Sequence, residues 1–198
     1  MGLLEQQAAL ARLFSDTALA ARYVVDPEEV ALECGLVGDD ALQVGAICRD
    51  DILFFARSLA AKRLGEVRTC LPMTLEALGE RFDPLFARYC ESNRIGPETK
   101  RHAFDALRFT AFLLSQSEIS RGTARRETIR YESLALDFEL ARRCFRIALF
   151  HGLIGYAPTV RPERQYLYTL GLWVRTYPRA RSRQWLWPII GRCMNRLD

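Results

Sequence analysis

Apolar positions in the first 118 residues recur at three- and four-residue intervals, the period of helices with one buried face. Leu3, Leu10, Leu13 and Phe14 predict a helix over 3–14, and Ser15 or Asp16 opens a second through Tyr23 and Val25. Asp26-Pro27-Glu28-Glu29 reads as a helix start: Asp at the N-cap, Pro in the first turn, acids at the positive end of the helix dipole. Gly35 ends that helix. Asp39 and Asp40 open a short helix over 41–48. Asp50 or Asp51 opens the longest, to about Cys70, with Ile52, Phe55, Ala56, Leu59, Leu64 and Val67 as its predicted core stripe. Arg57, Lys62, Arg63 and Arg68 fall off that stripe and are expected in solvent. Pro72 starts another helix, and Asp83-Pro84 marks one near 82–89 that carries Leu85, Phe86 and Tyr89 on one face. Beyond Gly96-Pro97, a helix is predicted with Phe104, Leu107, Ala111, Phe112 and Leu114 in its core face.

The period changes after Ser120-Arg121-Gly122. One more helix, over 124–141, places Tyr131, Leu134, Ala135 and Phe138 together. Strands follow over 143–150, 165–177 and 184–190. In the second, Tyr166, Tyr168, Leu170, Leu172 and Val174 alternate with Leu167, Thr169, Gly171, Trp173 and Arg175. Gly171 points to a bulge or a close approach, and Pro188 means that the last strand lies at an edge or is cut short there. The expected fold is α+β: a helical bundle over 1–118, then one helix and a three-stranded antiparallel sheet over 119–198. A sheet of this size is stable only with one face on a helix, here 124–141. Its open edge is either blunted by charge or able to accept a strand from a peptide.

Charge sharpens the division. Residues 1–118 hold 13 Lys and Arg against 18 Asp and Glu, whereas 119–198 hold 15 against 6, a net of +9. Such a segment suits an acidic partner or nucleic acid. The six cysteines have no CxxC pair and neither His102 nor His151 sits near a second ligand, so they are expected as thiols, mostly buried, with Cys70 and Cys90 as small core residues. No GxSxG, P-loop, Rossmann or HExxH pattern occurs, so no self-sufficient active site is expected. The sequence lacks a long apolar run and a signal-peptide pattern, and a cytoplasmic location is expected.

Three runs carry a family resemblance. They are Ala11-Arg12-Leu13-Phe14-Ser15-Asp16 with Asp26-Pro27 and Cys34-Gly35-Leu36; Phe54-Phe55-Ala56-Arg57-Ser58-Leu59-Ala60-Ala61-Lys62-Arg63-Leu64-Gly65-Glu66-Val67 with Leu71-Pro72-Met73-Thr74; and Phe82-Asp83-Pro84-Leu85-Phe86-Ala87-Arg88-Tyr89 with Gly96-Pro97 and Phe104-Asp105-Ala106. Together they resemble the partner subunits of multinuclear non-haem iron-dependent oxidases, which modify cysteines of ribosomally made peptides. The methanobactin-pathway partners (MbnC-type) are the nearer pattern and the TglI-type partners the neighbouring one. The resemblance is best over 10–112 and looser over 124–190.

That resemblance implies a non-catalytic subunit without a cofactor of its own. Iron would reside in a separate TIM-barrel oxidase chain (MbnB-like), and the precursor's leader peptide would be held jointly. The joint product would be an oxazolone with an adjacent thioamide, made from a precursor cysteine with dioxygen. The expected leader site is an added strand beside 165–177 or 143–150. Its candidate residues are Arg146, Leu149, Tyr166, Tyr168, Leu170, Leu172, Trp173 and Arg175, with exposed arginines such as Arg146 and Arg175 meeting acidic leader residues. The alternative is a nucleic-acid-binding regulator whose arginines contact phosphate while Tyr166, Tyr168, Trp173, Tyr177, Trp185 and Trp187 stack on bases.

Overall fold

The computed structural model describes residues 3–95, 99–119, 123–152, 166–176 and 182–190. Helices α1 (Leu3–Ser15), α2 (Thr17–Val25), α3 (Pro27–Glu33), α4 (Asp39–Gly45) and α5 (Arg49–Cys70) come first. Then follow α6 (Pro72–Leu78), a 3₁₀ turn at Gly79–Arg81, α7 (Phe82–Ser92), α8 (Arg101–Ser115) and α9 (Ala124–Leu140). Strands β1 (Phe145–His151), β2 (Tyr166–Val174) and β3 (Arg183–Ile190) complete an α+β fold.

Local chemistry sets the helix boundaries. Asp16 accepts from the Ala18 and Leu19 N–H groups to cap α2, and Asp26 accepts from Glu29 N–H to cap α3, whose first residue is Pro27. Gly35 follows α3 at φ +86°, a conformation that costs a residue with a Cβ about 1 kcal/mol or more. Asp39 and Asp40 belong to the first turn of α4 rather than capping it, and Gly38 is its N-cap.

The contacts form two compact units, grouped differently from a division at residue 118: 1–69 with 86–96, and 70–85 with 97–198. In the first, Leu13, Ala20, Tyr23, Val30, Leu36, Ile52 and Ala56 share one core. The Tyr23 hydroxyl donates to the Val44 carbonyl at 2.5 Å. The α5 stripe is buried only in part. Ile52, Ala56 and Val67 are inside, whereas Phe55 and Leu59 are exposed beside Phe54. Phe55 keeps ring contacts to Phe14 at 5.5 Å and to its neighbour Phe54 at 5.8 Å. Arg63 is not simply solvated: its guanidinium lies 5.6 Å from the Phe86 and Tyr89 ring centres and donates to the Asn93 carbonyl.

In the second unit, the buried face of α8 is Asp105, Ala106, Phe109, Thr110 and Leu113. The predicted stripe of Phe104, Leu107, Phe112 and Leu114 is only half-buried, and Ala111 is exposed. The helix is rotated relative to that prediction so that Phe109 meets Phe82 edge-on at 5.3 Å, and a buried Asp and Thr accompany it. By contrast, α9 follows its pattern. Tyr131 and Phe138 are buried with Phe150 and Trp173, and Leu134 and Ala135 pack against them.

Candidate peptide-docking sheet

The sheet runs β1-β2-β3 with both pairings antiparallel. Alternation sends Arg146, Ala148 and Phe150 of β1, Thr169, Gly171 and Trp173 of β2, and Gln184 and Leu186 of β3 to one side. That side packs on α9. Tyr131 meets Phe150 edge-on at 5.7 Å and Trp173 at the same distance. Gly171 is the close approach its position suggested, since a Cβ there would lie 2.8 Å from the Trp173 ring and 3.0 Å from Phe150. The pairing irregularity lies elsewhere, between Tyr166 and Tyr168.

Polar groups fasten the same side. Trp173 Nε1 donates to Gln184 Oε1 at 3.0 Å, and Gln184 Nε2 donates to the Tyr131 hydroxyl. Burial pushes the Tyr131 phenol above its ordinary value, and the nearby Glu132 adds to the rise. Arg146 pairs with Asp137 of α9, which Arg143 also approaches at 3.4 Å. Arg175 is buried, lies 5.1 Å from the Phe138 ring centre and pairs with Glu139, which also accepts from Ser182.

The expectation of exposed, ligand-facing Arg146 and Arg175 is therefore corrected. Both turn inward, because even-numbered β1 positions and odd-numbered β2 positions face α9. Other arginines of the basic segment are engaged too. Arg125 donates to the Ala77 carbonyl, Arg126 to those of Leu114 and Ile119, and Arg130 to that of Leu149. Among the described residues, most of the arginines that made this segment look like an acidic-partner surface are engaged within the unit.

Of the candidate residues, Arg146, Trp173 and Arg175 belong to the inner face, and Leu149, Tyr168, Leu170 and Leu172 share the opposite one. Tyr166 is placed here only by its backbone, paired with Ile190. Besides Phe145 and Ile147 of β1, sequence reasoning left Trp185, Trp187 and Ile189 of β3, which share the outer face, unassigned to peptide capture. Strict alternation through 183–190 was the signal that groups them. The two Trp rings lie parallel within 7°, their centres 6.5 Å apart.

Backbone phase decides which edge is receptive. Arg175 N–H donates to the Cys144 carbonyl at 2.8 Å, making 144 and 175 a hydrogen-bonded pair. Alternation from there turns the backbone groups of Phe145, Ile147, Leu149 and His151 to the open side of β1. Arg130 takes the Leu149 carbonyl at 2.8 Å, leaving the Phe145–Ile147 stretch as the receptive part. On β3 the same phase aims position 188 outward, where Pro supplies no N–H. The expected edge placement of Pro188 thus holds. β2 is central with both sides paired, so strand addition beside 165–177 is excluded and only the β1 alternative stands.

Cys34, Cys48, Cys70, Cys90 and Cys144 are thiols, but none is buried: Cys48 and Cys144 are exposed and the others half-buried. This corrects the expectation of mostly buried thiols, and Cys193 lies outside the described residues. Burial raises the Cys34 thiol pKa, against the pull of Arg12. His102 lies half-buried in α8, and exposed His151 meets the Tyr168 ring at 4.8 Å. Among the described residues, no three of His, Cys, Asp and Glu gather as a metal site, and no helix is long and apolar enough to cross a membrane.

Residues 49–115, from the start of α5 to the end of α8, match the family described as SCO6045-like, C-terminal domain. The match covers about a third of the chain and stops short of α9 and the sheet. No curated protein and no solved structure matches this chain.

Proposed function

We propose that this chain is the non-catalytic partner subunit of an iron-dependent oxidase and that it captures the leader of a ribosomally made precursor peptide as an added strand on β1. The reading joins the MbnC-type resemblance to one observation that carries it: β1 is an edge strand whose Phe145–Ile147 backbone faces outward beside an apolar sheet face. Backbone pairing supplies affinity there, and the neighbouring side chains supply selectivity. The partner chain supplies iron, and oxidation of a precursor cysteine to the oxazolone and thioamide takes place on that chain with dioxygen as oxidant.

Ile147→Pro is the incisive variant. It removes an N–H that an added strand would use but no β1–β2 bond, so the sheet is expected to persist. A labelled leader peptide titrated into the chain assembled with its oxidase should bind at least about tenfold more weakly to the variant, roughly the worth of one or two hydrogen bonds. Equal binding by a folded variant removes β1 as the docking edge. The nucleic-acid reading draws on the parallel Trp185 and Trp187 rings, which suit base stacking. A labelled single strand bound more tightly than the leader would favour it.

A further inference from the structure

The outer sheet face lies opposite α9 and is covered by no described element. Its two middle rows run Ile147–Leu172–Trp185 and Leu149–Leu170–Trp187 across the three strands. The outermost members of these rows, with Phe145 and Ile189 at the ends, are between 39% and 59% exposed. At about 150–250 Å² for a large side chain, those six residues present on the order of 600 Å² of contiguous apolar surface. The largest patch on an ordinary monomer is about 300–600 Å², and one side of a standard protein interface is about 800 Å². The half-exposed central residues bring this face close to the second value.

Charge narrows the choice of occupant. The compact unit carrying the sheet has 19 Lys and Arg against 12 Asp and Glu, a net of +7. Exposed Arg183 stands at the corner of the face, paired across the sheet with Val174. Two copies packed face to face would oppose like charges, whereas an apolar patch bordered by acidic side chains is complementary. We infer that the outer face of the sheet is the seat of the oxidase subunit, met there by an apolar patch with an acidic border. This inference rests on the partner-subunit reading above and names its surface. A leader strand on β1 would then lie along the rim of that interface, with its backbone beside the oxidase.

Trp187→Glu and the milder Trp187→Ala test it, in the full chain co-expressed with a TIM-barrel iron oxidase of the MbnB-like type. Both changes are at an exposed side chain on the strand farthest from β1, and thermal melts check that each variant folds. Wild type should co-elute with the oxidase. The affinity should fall about tenfold in Trp187→Ala and further in Trp187→Glu, while leader binding to the isolated chain stays unchanged. If Trp187→Glu prevents folding, the Trp187→Ala affinity decides. Equal oxidase binding by wild type and variants overturns this surface and leaves the subunit reading standing. Failure of wild type to bind the oxidase overturns both. A wild-type homodimer that Trp187→Glu converts to monomer assigns the face to a second copy and overturns the inference.

Discussion

Glu132 turns one carboxylate oxygen onto each of two backbone N–H groups, those of Met73 (2.8 Å) and Thr74 (2.7 Å), at the start of α6. Helix starts leave such donors unsatisfied, and this one is capped from a helix 58 positions away in sequence. Burial nonetheless pushes the carboxyl above its ordinary value, against the pull of those donors. A carboxyl with a raised folded-state pKa gives stability that is complete below its unfolded value and lost as pH rises through the folded one. Wild type should therefore lose stability relative to Glu132→Gln as pH rises above about 4.3, the ordinary glutamate range, in a series of thermal melts. A wild type that gains on the variant over that range would show that the helix start, not burial, governs the group. Glu132→Ala should cost about 2–3 kcal/mol at the acid end of that series, where wild type is most stable, since two inner donors lose their acceptor. Nothing in the sequence signalled this cap, because Leu71 precedes Pro72 where a local Ser or Asp would stand. Gly171, in contrast, was legible, since a glycine amid aromatic alternation has few other uses.

α9 joins more of the second unit than its single apolar stripe suggests. Besides carrying the inner face of the sheet, it caps α6 through Glu132 and ties down the end of α8 through Arg126. Deleting residues 120–198 should expose the amides of α6 and α8 to rapid hydrogen exchange while Tyr23 and its neighbours in the first unit stay protected. Retained protection at 101–115 would show that α8 is held without α9. Sequence periodicity located these elements well and their faces unevenly. The α9 stripe was apolar and unambiguous, whereas α8 is apolar over most of its circumference, so its buried side was settled by Phe82 and by the burial of Asp105 and Thr110. Alternation likewise gave the strands but not their order. The length and apolarity of 166–174 fit a central strand as well as a receptive edge, and only pairing on both sides separates the two.

Across the whole chain, charge was the feature most open to misreading. The excess of arginine after residue 119 suggested a surface for an acidic ligand, yet Arg126, Arg146 and Arg175 are bound to carbonyls and carboxylates of their own unit. Composition reports how much charge there is, and only the fold reports where it is spent. The scattered cysteines and histidines carry a second expectation at this scale. Purified alone and desalted, the chain should hold no stoichiometric iron, zinc or copper by elemental analysis, as expected if the partner holds the metal. One tightly held ion per chain would move the chemistry onto this subunit.

Pro188 has a consequence for growth in one dimension. A sheet with two receptive edges can recruit further copies of itself, each addition renewing the template, and such head-to-tail contacts build filaments when they fail to close. Here the first strand offers donors but the last presents a proline at an outward position. A β1 edge laid against β3 of the next molecule would find outward backbone at 184 and 186 but no donor at 188, so the run it could pair with is cut short. The same sheet that leaves one edge open to a passing peptide thus shortens the other, and a broken template at 188 works against open-ended growth from copy to copy.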